Sequence, residues 1–138
     1  MPDKSSAPKP PSRDPGAIQD YHAHIYYDPA KTRGKAERLR ERVGAVFPGA
    51  KLGRWHDELV GPHPQSMYQI AFPTAMLAAF VPWLMLNRDG LDVLVHPLTL
   101  DAVEDHSGFA IWLGNPVPLK LHTLPHGRGG QLPKGIMP

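Results

Sequence analysis

The sequence predicts an α+β fold of the ferredoxin-like split βαβ kind, in which an antiparallel sheet carries two helices on one face. Three observations support this fold class. The chain has 138 residues, which is the size of one domain. Apolar residues make up 41% and charged residues 20%, so there is enough apolar material for one core. The predicted elements follow the order strand, helix, strand, strand, helix, strand, for which the expected order of strands across the sheet is 4-1-3-2.

The first strand and the first helix have the clearest sequence patterns. Residues 22–27 are rich in aromatic and β-branched side chains and stop shortly before Pro29, as expected for a strand. Over residues 31–47, apolar side chains recur every three or four positions, which predicts an amphipathic helix that ends before a Pro-Gly pair. The other face of this helix is charged, and we expect it to face solvent.

The remaining elements are shorter. Two strands, a second and more apolar helix, a fourth strand and a candidate fifth strand follow in that order. Pro82 lies within the second helix, where its missing N–H either kinks the helix or starts a separate short turn. The predicted ranges are, in order, residues 50–59, 66–72, 74–86, 91–95 and 109–113.

Proline-rich segments flank the predicted domain. Of the 17 prolines, five fall within residues 1–19 and five within residues 115–138, where glycine is also frequent. This composition is typical of extended or disordered chain. We therefore expect a flexible tail over residues 1–19, a ferredoxin-like domain over residues 20–114 and a second tail over residues 115–138.

Composition and charge exclude several classes of function. The chain has no cysteine, so a metal would need nitrogen or oxygen ligands. The pI is near 9.0, but the net charge is +1 over residues 1–19, −2 over residues 20–114 and +3 over residues 115–138. Because the basic charge lies outside the predicted domain, we expect no nucleic-acid binding. Since no segment has the length of a membrane span or the pattern of a signal peptide, we expect no membrane partner and a cytoplasmic location.

A sheet with helices on one face leaves its other face to be covered. In a sheet of four strands, that face is commonly buried against a second subunit or a fifth element. We therefore expect a homodimer.

Histidines form the strongest functional pattern, since the chain contains eight. His22 and His24 are separated by one residue on the first strand, so both side chains point to the same face. Strand 4 is expected to run antiparallel beside strand 1, which brings His96 next to the start of strand 1. Three converging imidazoles favour a site for one divalent metal over the alternative in which each histidine simply bonds a neighbouring group.

Two further histidines are candidates for the same site. His63 lies between two prolines in the loop that joins strands 2 and 3, at the opposite end of the sheet from His96. It therefore reaches the cluster only if its loop folds back or if a partner subunit supplies it. His106 follows the fourth strand and is the fifth candidate.

Aromatic side chains lie in the same segments as the histidines. Tyr26 shares the strand parity of His24, so both should lie on one face of the sheet. Rings such as Tyr26 and Trp83 suit a flat aromatic ligand, although packing in a core explains each of them equally well. Asp28 lies about 13 Å along the strand from His24, too far to bind the same metal. A site of two histidines and one carboxylate is therefore not indicated.

Five sequence blocks occur in order along the chain: Y-H-A-H-I-Y-Y-D (21–28), V-G-P-H-P (60–64), V-P-W-L-M-L-N-R (81–88), L-V-H-P (94–97) and D-H followed by W-L-G (105–114). Together they resemble the DOPA 4,5-dioxygenase family. The resemblance implies a small ferredoxin-like subunit that performs extradiol cleavage of a catechol ring, using O2 and a non-haem metal.

The resemblance also implies roles for individual residues. It favours Fe(II) as the metal, with zinc or nickel as alternatives in the purified protein. A histidine that does not bind the metal would move the catechol proton, and His63 is the first candidate for this role, followed by His106. Arg88 or Arg54 would anchor a carboxylate of the substrate, and Tyr26 and Trp83 would contact its ring.

Two other classes of function stay open at the level of sequence. One is a metal-free module of the same fold that binds an aromatic ligand or mediates dimerisation. The other is a monooxygenase that needs no cofactor, which the fold allows by analogy alone. The metal content of the untagged protein would distinguish both of them from the dioxygenase.

Overall fold

The computed structural model describes residues 11–125, which form five strands, three α-helices and three short 3-10 turns. The strands are β1 (Asp20–Tyr27), β2 (Lys51–His56), β3 (Ser66–Pro73), β4 (Val93–Pro97) and β5 (Ile111–Leu113). The helices are α1 (Arg33–Val46), α2 (Leu77–Asn87) and α3 (Ala102–Asp105), and the 3-10 turns are Pro15–Ala17, Thr74–Met76 and Leu121–Thr123.

All five strands belong to one antiparallel sheet with the order β2-β3-β1-β4-β5. The first four strands have the predicted order, and the candidate fifth strand pairs with β4 at the edge. The predicted ferredoxin-like α+β class is therefore confirmed. The long strand β1 lies at the centre, and in its register with β4 His22 is opposite His96 and His24 is opposite Leu94.

The fourth strand lies two residues later than predicted. Asp89 and Gly90 both have positive φ angles, of 55° and 76°, and the N–H of Leu91 donates to the carbonyl of Arg88 at 3.0 Å. Residues 88–91 therefore form a turn, and β4 starts only at Val93. The shift has a functional consequence, because His96 now lies within the strand and not after it.

Two helical features differ from the sequence prediction. Helix α2 continues through Pro82, so the alternative in which this proline starts a separate turn is wrong. Burial of Phe80, Val81 and Leu84 stabilises the helix despite the lost hydrogen bond. Helix α3 was not predicted, because four residues are too few for an apolar periodicity. Its N-cap is Asp101, whose side chain accepts a hydrogen bond from the N–H of Glu104 at 3.1 Å.

The two faces of the sheet carry different groups. On β1, the side chains of Ala23, Ile25 and Tyr27 belong to the main hydrophobic core, together with buried residues of α1 and α2. The alternate positions of β1 carry His22, His24 and Tyr26, which lie on the opposite face. Positioning a row of polar rings on a rigid central strand is thus a direct result of strand parity.

The face with the histidines is covered by the same chain. Tyr26, Met67 and Leu94 form a second buried cluster with Val117, and Val60 and Leu119 pack against it. The N–H of Lys120 donates to the carbonyl of Pro62 at 2.8 Å, which joins the covering segments to each other. The reason for expecting a homodimer, a bare sheet face, is therefore absent, although the oligomeric state itself stays a prediction.

Of the predicted tails, residues 1–10 and 126–138 lie outside the described residues. Within residues 115–125, Val117 and Leu124 are buried, and Val117 packs against sheet residues Tyr26, Met67 and Leu94. The domain boundaries at residues 20 and 114 stay predictions. Among the described residues, no helix has both the length and the apolar composition needed to cross a membrane.

Candidate metal centre

Five of the eight histidines meet on the covered face of the sheet. His24, His63 and His96 are fully buried, and His22 and His106 are 7% and 2% exposed. Two of these side chains come from β1, one from β4, one from the β2–β3 loop and one from the residue after α3. The structure thus brings together all five histidines that the sequence singles out. Of the remaining three, His56 lies at the end of β2 and is paired with Met67 of β3, His122 is exposed, and His126 lies outside the described residues.

His22, His24 and His96 are close enough to share one metal ion. Each offers a ring nitrogen, and these nitrogens all lie within 4.8 Å of one another. The spacing follows from the backbone, because His22 and His24 share a face of β1 and His96 is paired with His22 across the ladder. The predicted grouping of three histidines is therefore present in the structure.

The hydrogen bonds of His24 and His96 fit two metal ligands. Nδ1 of His96 lies 2.8 Å from the carbonyl oxygen of Pro97. Since a carbonyl only accepts, Nδ1 carries the proton and Nε2 has a free lone pair. Nδ1 of His24 lies 3.5 Å from the sulfur of Met67, a weak acceptor, which favours the same tautomer. The two Nε2 atoms are 3.0 Å apart, so the lone pairs of two neutral rings face one point.

Such a pattern is typical of histidines that bind metals. A ligating imidazole usually donates its other N–H to a protein acceptor, which fixes the ring and raises its basicity. The donor set, with nitrogen only, suits zinc, nickel or iron, and it does not suit magnesium or calcium. The residues present therefore fit a divalent transition metal.

His22 completes the group and contacts Gln69. Its Nε2 lies 3.4 Å from the side-chain nitrogen of Gln69, while its Nδ1 is buried with no hydrogen-bond partner among the described residues. The side-chain oxygen of Gln69 is also buried without a partner there. Unpaired buried polar atoms are costly, which is consistent with a ligand filling this space.

His63 reaches the cluster because its loop folds back over the sheet. Gly61 has a φ of 53°, which allows a tight turn, and the N–H of His63 donates to the carbonyl of Val60 at 3.1 Å. The His63 ring centroid is 4.3 Å from that of His24. His63 therefore reaches the cluster of its own chain because its loop folds back, and no partner subunit has to supply it.

His63 is held by Tyr26 at one nitrogen and is free at the other. The Tyr26 hydroxyl oxygen lies 2.7 Å from His63 Nδ1, and His63 Nε2 is buried without a partner among the described residues. Burial raises the pKa of the Tyr26 hydroxyl well above its usual value, so the hydroxyl keeps its proton.

His106 approaches from the other side of the group. Its ring centroid lies 4.0 Å from that of His96, and its Nδ1 is 2.7 Å from the carbonyl oxygen of Ala102. Nδ1 must therefore donate, and the free lone pair is on Nε2, which is buried without a described partner. Its neighbour Asp105 accepts hydrogen bonds from the N–H and the hydroxyl of Thr99 at 2.9 and 2.5 Å, which ties α3 to the loop after β4.

The electrostatics of the cluster keep its histidines neutral. Burial, followed by the nearby His106, lowers the pKa of His22 from 6.5 to about 4, and burial with the neighbouring histidines lowers the pKa of His63 to about 3. Burial is also the largest cause that lowers the pKa values of His24, His96 and His106. Neutral imidazole is the form that binds metals and accepts protons.

The predicted substrate contacts are placed differently. The hydroxyl of Tyr26 is already bonded to His63. Trp83 packs against Phe47 in the core on the helix side of the sheet, so the sheet separates it from the histidines. Arg88 donates to the carbonyl of Leu91 at 2.8 Å in the turn before β4. The structure does not bring Trp83 or Arg88 into the histidine cluster.

Several residues of the site were not found from sequence. Met67 and Gln69 lie on β3 beside β1, and their alternate spacing on a predicted strand could have placed them on the same face as His24. Asp105 was noted only as the neighbour of His106. Its bonds to Thr99 depend on the path of the loop, and no local pattern indicates them.

An open groove near the cluster does not include it. The groove has a volume of about 1060 Å³ and is lined partly by Tyr21 and Pro97, the sequence neighbours of His22 and His96. None of the five histidines lines it.

Two curated proteins are similar to this chain. A protein of Botryotinia fuckeliana known as "Uncharacterized 21.2 kDa protein" is 38% identical over 118 residues, which cover 78% of this chain and 64% of that protein. The DOPA 4,5-dioxygenase of Amanita muscaria is 35% identical over 115 residues, which cover 78% of this chain and 50% of the enzyme. This chain thus spans about half to two thirds of the length of these curated relatives.

A solved structure and a family match extend the comparison. The crystal structure of a candidate dioxygenase from Nostoc punctiforme superposes with a TM-score of 0.78 at 49% identity, covering 81% of this chain and 96% of that one. Residues 21–123 match the Dopa 4,5-dioxygenase family, and this range contains all five clustered histidines. The chain belongs to the Dopa 4,5-dioxygenase family.

Proposed function

We propose that this protein is an extradiol-type dioxygenase that cleaves the ring of a catechol such as DOPA. The metal would be held by His22, His24 and His96. The observation that supports this proposal most directly is the pair of Nε2 atoms of His24 and His96, which face each other at 3.0 Å while their Nδ1 atoms contact acceptors. Family membership supports the oxygenase class, and the DOPA 4,5-dioxygenase among the relatives supports the substrate class.

A divalent metal in this site, with Fe(II) the first expectation and zinc or nickel the alternatives, would supply a Lewis acid for the catechol oxygens and a binding position for O2. The remaining work falls to the protein. The buried surroundings exclude water from the reacting ring, and the rigid strands β1 and β4 hold the three histidines in fixed positions. Preorganisation of this kind reduces the entropy lost when ring and oxygen are brought together.

His63 and His106 are the proposed proton-transfer groups. Both are neutral at physiological pH because burial lowers their pKa values, and both have an Nε2 atom without a partner among the described residues. A neutral imidazole with a lone pair on Nε2 accepts the proton that a catechol hydroxyl releases and returns it at a later step, whereas one with the proton on Nε2 donates it to an oxygen atom of the bound molecule. Their rings lie 4.3 Å from His24 and 4.0 Å from His96, respectively, which places both next to the proposed ligands.

Metal loading and oxygen uptake test this function together. The untagged protein is purified without oxygen, its metal content is measured, and Fe(II) is added before mixing with a panel of catechols that includes DOPA. We expect one metal per chain, oxygen uptake, and a yellow ring-opened semialdehyde. Absence of oxygen uptake with iron bound, across the whole panel, would overturn the proposed activity.

One observation favours a second candidate, the metal-free module that binds an aromatic ligand. If the His24 ring takes its other tautomer, its Nε2–H donates to Nε2 of His96 at the observed 3.0 Å, and this pair needs no metal. A protein that contains no metal after anaerobic purification, binds none when it is offered, and still binds catechols would support this alternative. No feature of the site favours the monooxygenase.

Association into a homodimer is a separate proposal. The sheet ends at β5, whose outer edge is not paired by another described strand, and Ile111 on this strand is 47% exposed. An unpaired edge with an apolar side chain is suited to pairing with a second copy. Sedimentation at micromolar concentration should give a dimer, and Ile111→Lys should convert it to a monomer. A wild-type monomer would refute the proposal.

A further inference from the structure

The hydroxyl of Tyr26 is hydrogen-bonded to His63 in the interior of the site. The Tyr26 oxygen and His63 Nδ1 are 2.7 Å apart, and both side chains are buried. Tyr26 itself is fixed, because it lies on the central strand β1, and its ring stacks on Trp112 with a centroid distance of 6.0 Å and an angle of 26°. The position of the hydroxyl is therefore set by the sheet and not by the loop that carries His63.

Either direction of this hydrogen bond leaves one buried proton without an acceptor among the described residues, but the two directions leave that proton on different atoms. If Tyr26 donates to Nδ1, both the hydroxyl proton and the Nδ1 lone pair are satisfied. If His63 donates instead, the hydroxyl proton is left without an acceptor among the described residues, because its contact with His63 is the only hydrogen bond that the hydroxyl makes there. Donation by Tyr26 leaves the unpaired proton on His63 Nε2, on the far side of the ring from Tyr26. Since a phenol hydroxyl is a better donor than acceptor and an imidazole nitrogen is a strong acceptor, donation by Tyr26 is favoured.

Donation by Tyr26 sets the tautomer of His63. A neutral imidazole whose Nδ1 accepts a hydrogen bond must carry its proton on Nε2. His96 and His106 have the opposite arrangement, because their Nδ1 atoms lie 2.8 and 2.7 Å from the carbonyl oxygens of Pro97 and Ala102. Their Nε2 atoms therefore have lone pairs.

We propose that Tyr26 is a positioning residue that holds neutral His63 in the tautomer with the proton on Nε2. His63 then presents an N–H to the interior of the site, whereas His96 and His106 present lone pairs. With its proton on Nε2, His63 does not bind the metal. It instead donates a hydrogen bond to an oxygen atom of a bound molecule. This role deepens the proposed function, because it makes His63 a hydrogen-bond donor to the bound molecule. It rests on the proposed function only for the identity of that molecule.

The test measures the tautomer directly in the metal-free protein. Histidine is labelled with 15N, and two-bond proton–nitrogen correlations of the imidazole rings are recorded at neutral pH. The His63 resonances are assigned by their disappearance in His63→Gln. We expect a protonated Nε2 and an unprotonated Nδ1 for His63, and the reverse for His106.

Two tyrosine variants test whether Tyr26 causes the tautomer. Tyr26→Phe removes only the hydroxyl and should shift the His63 Nδ1 resonance and populate the other tautomer. Tyr27→Phe is the matched control, since Tyr27 is the next residue on the same strand and its hydroxyl donates to Asp57 on the other face. It should leave the His63 ring unchanged.

Two results would overturn the inference. One is a wild-type His63 with its proton on Nδ1, and the other is a Tyr26→Phe spectrum in which His63 matches the wild type. Because the measurement uses metal-free protein and no substrate, it gives the same result whether or not the protein is a dioxygenase. Failure of the proposed function is recognised separately, by oxygen uptake.

Discussion

His22 and His96 are direct partners in the antiparallel register of β1 and β4, with ring centroids 5.2 Å apart. The ladder thus joins two halves of a binding site that are far apart in the sequence. A slip of one residue in this register would turn the side chains of β4 to the other face, so the sheet itself specifies the site.

Replacing any one of His22, His24 or His96 by alanine should lower the affinity for the metal. Each variant removes one of three nitrogens that lie within 4.8 Å of one another. We expect losses larger than the roughly 10- to 100-fold that follow loss of a hydrogen-bond partner to a ligand. Metal content after dialysis against a competing chelator measures the effect. His122→Ala is the control, because His122 is exposed and lies outside the cluster. Full metal retention in all three folded variants would contradict this ligand set.

Replacing His63 by alanine should separate binding from turnover. The variant should keep its metal and lose about 10²- to 10⁴-fold in kcat, the usual contribution of a general acid or base. The physical reason is that His63 lies beside His24 but is held by Tyr26 through Nδ1. Metal content and oxygen uptake are measured on the same preparation. Loss of the metal would instead make His63 a ligand and would transfer the proton-moving role to His106 or His22.

Strand parity explains why half of the site could be predicted. The alternation of His22, His24 and Tyr26 is a property of any strand, and the neighbour relation of β1 and β4 follows from the expected topology. These two rules together placed His96 beside His22. The position of His63 could not be derived in the same way, because the path of a proline-rich loop over a sheet depends on contacts such as Lys120 with Pro62.

Strand parity could not place the predicted substrate contact Trp83, because this residue lies on a helix. The frequency of aromatic residues in the histidine segments groups Trp83 with the histidines, but the alternation of side chains along a strand says nothing about which face a helix residue contacts. Its ring packs against Phe47 on the other side of the sheet. Helix α3 and the bonds of Asp105 were also missed, since hydrogen bonds between a short helix and a loop leave no periodic pattern in sequence.

Replacing Asp105 by asparagine should destabilise the protein and disturb His106. Asp105 is buried and accepts two hydrogen bonds from Thr99, and an amide can offer only one acceptor oxygen in its place. Leaving a buried polar group unsatisfied costs about 1–3 kcal/mol. Urea unfolding measures this loss, and the His106 ring resonances report its position. Asp92→Asn is the control, since within the described part of the chain the Asp92 side chain accepts only one hydrogen bond, an exposed one from the N–H of Asn115. Equal effects in both variants would contradict a special role for Asp105.

The metal-free protein should lose stability as the pH falls from about 6.5 to 4. In the folded state the pKa of His22 is lowered from 6.5 to about 4 and that of His63 to about 3, mainly because burial opposes the charged form. In the unfolded chain these histidines bind protons below pH 6.5, so acid favours unfolding. The stabilisation is fully present above pH 6.5 and is lost as the pH falls toward the folded pKa values.

The size of this effect can be measured by urea unfolding across the same range. Each unit of pKa shift corresponds to about 1.4 kcal/mol, so His22 alone should contribute a few kcal/mol to the pH dependence. His22→Gln keeps a polar side chain that does not titrate, and it should reduce the slope of stability against pH. His122→Gln removes an exposed histidine and should leave the slope unchanged. A wild-type stability that is constant between about pH 7.5 and 5 would show that the cluster is not neutral and buried, since a proton taken up only by the unfolded chain must appear in this slope.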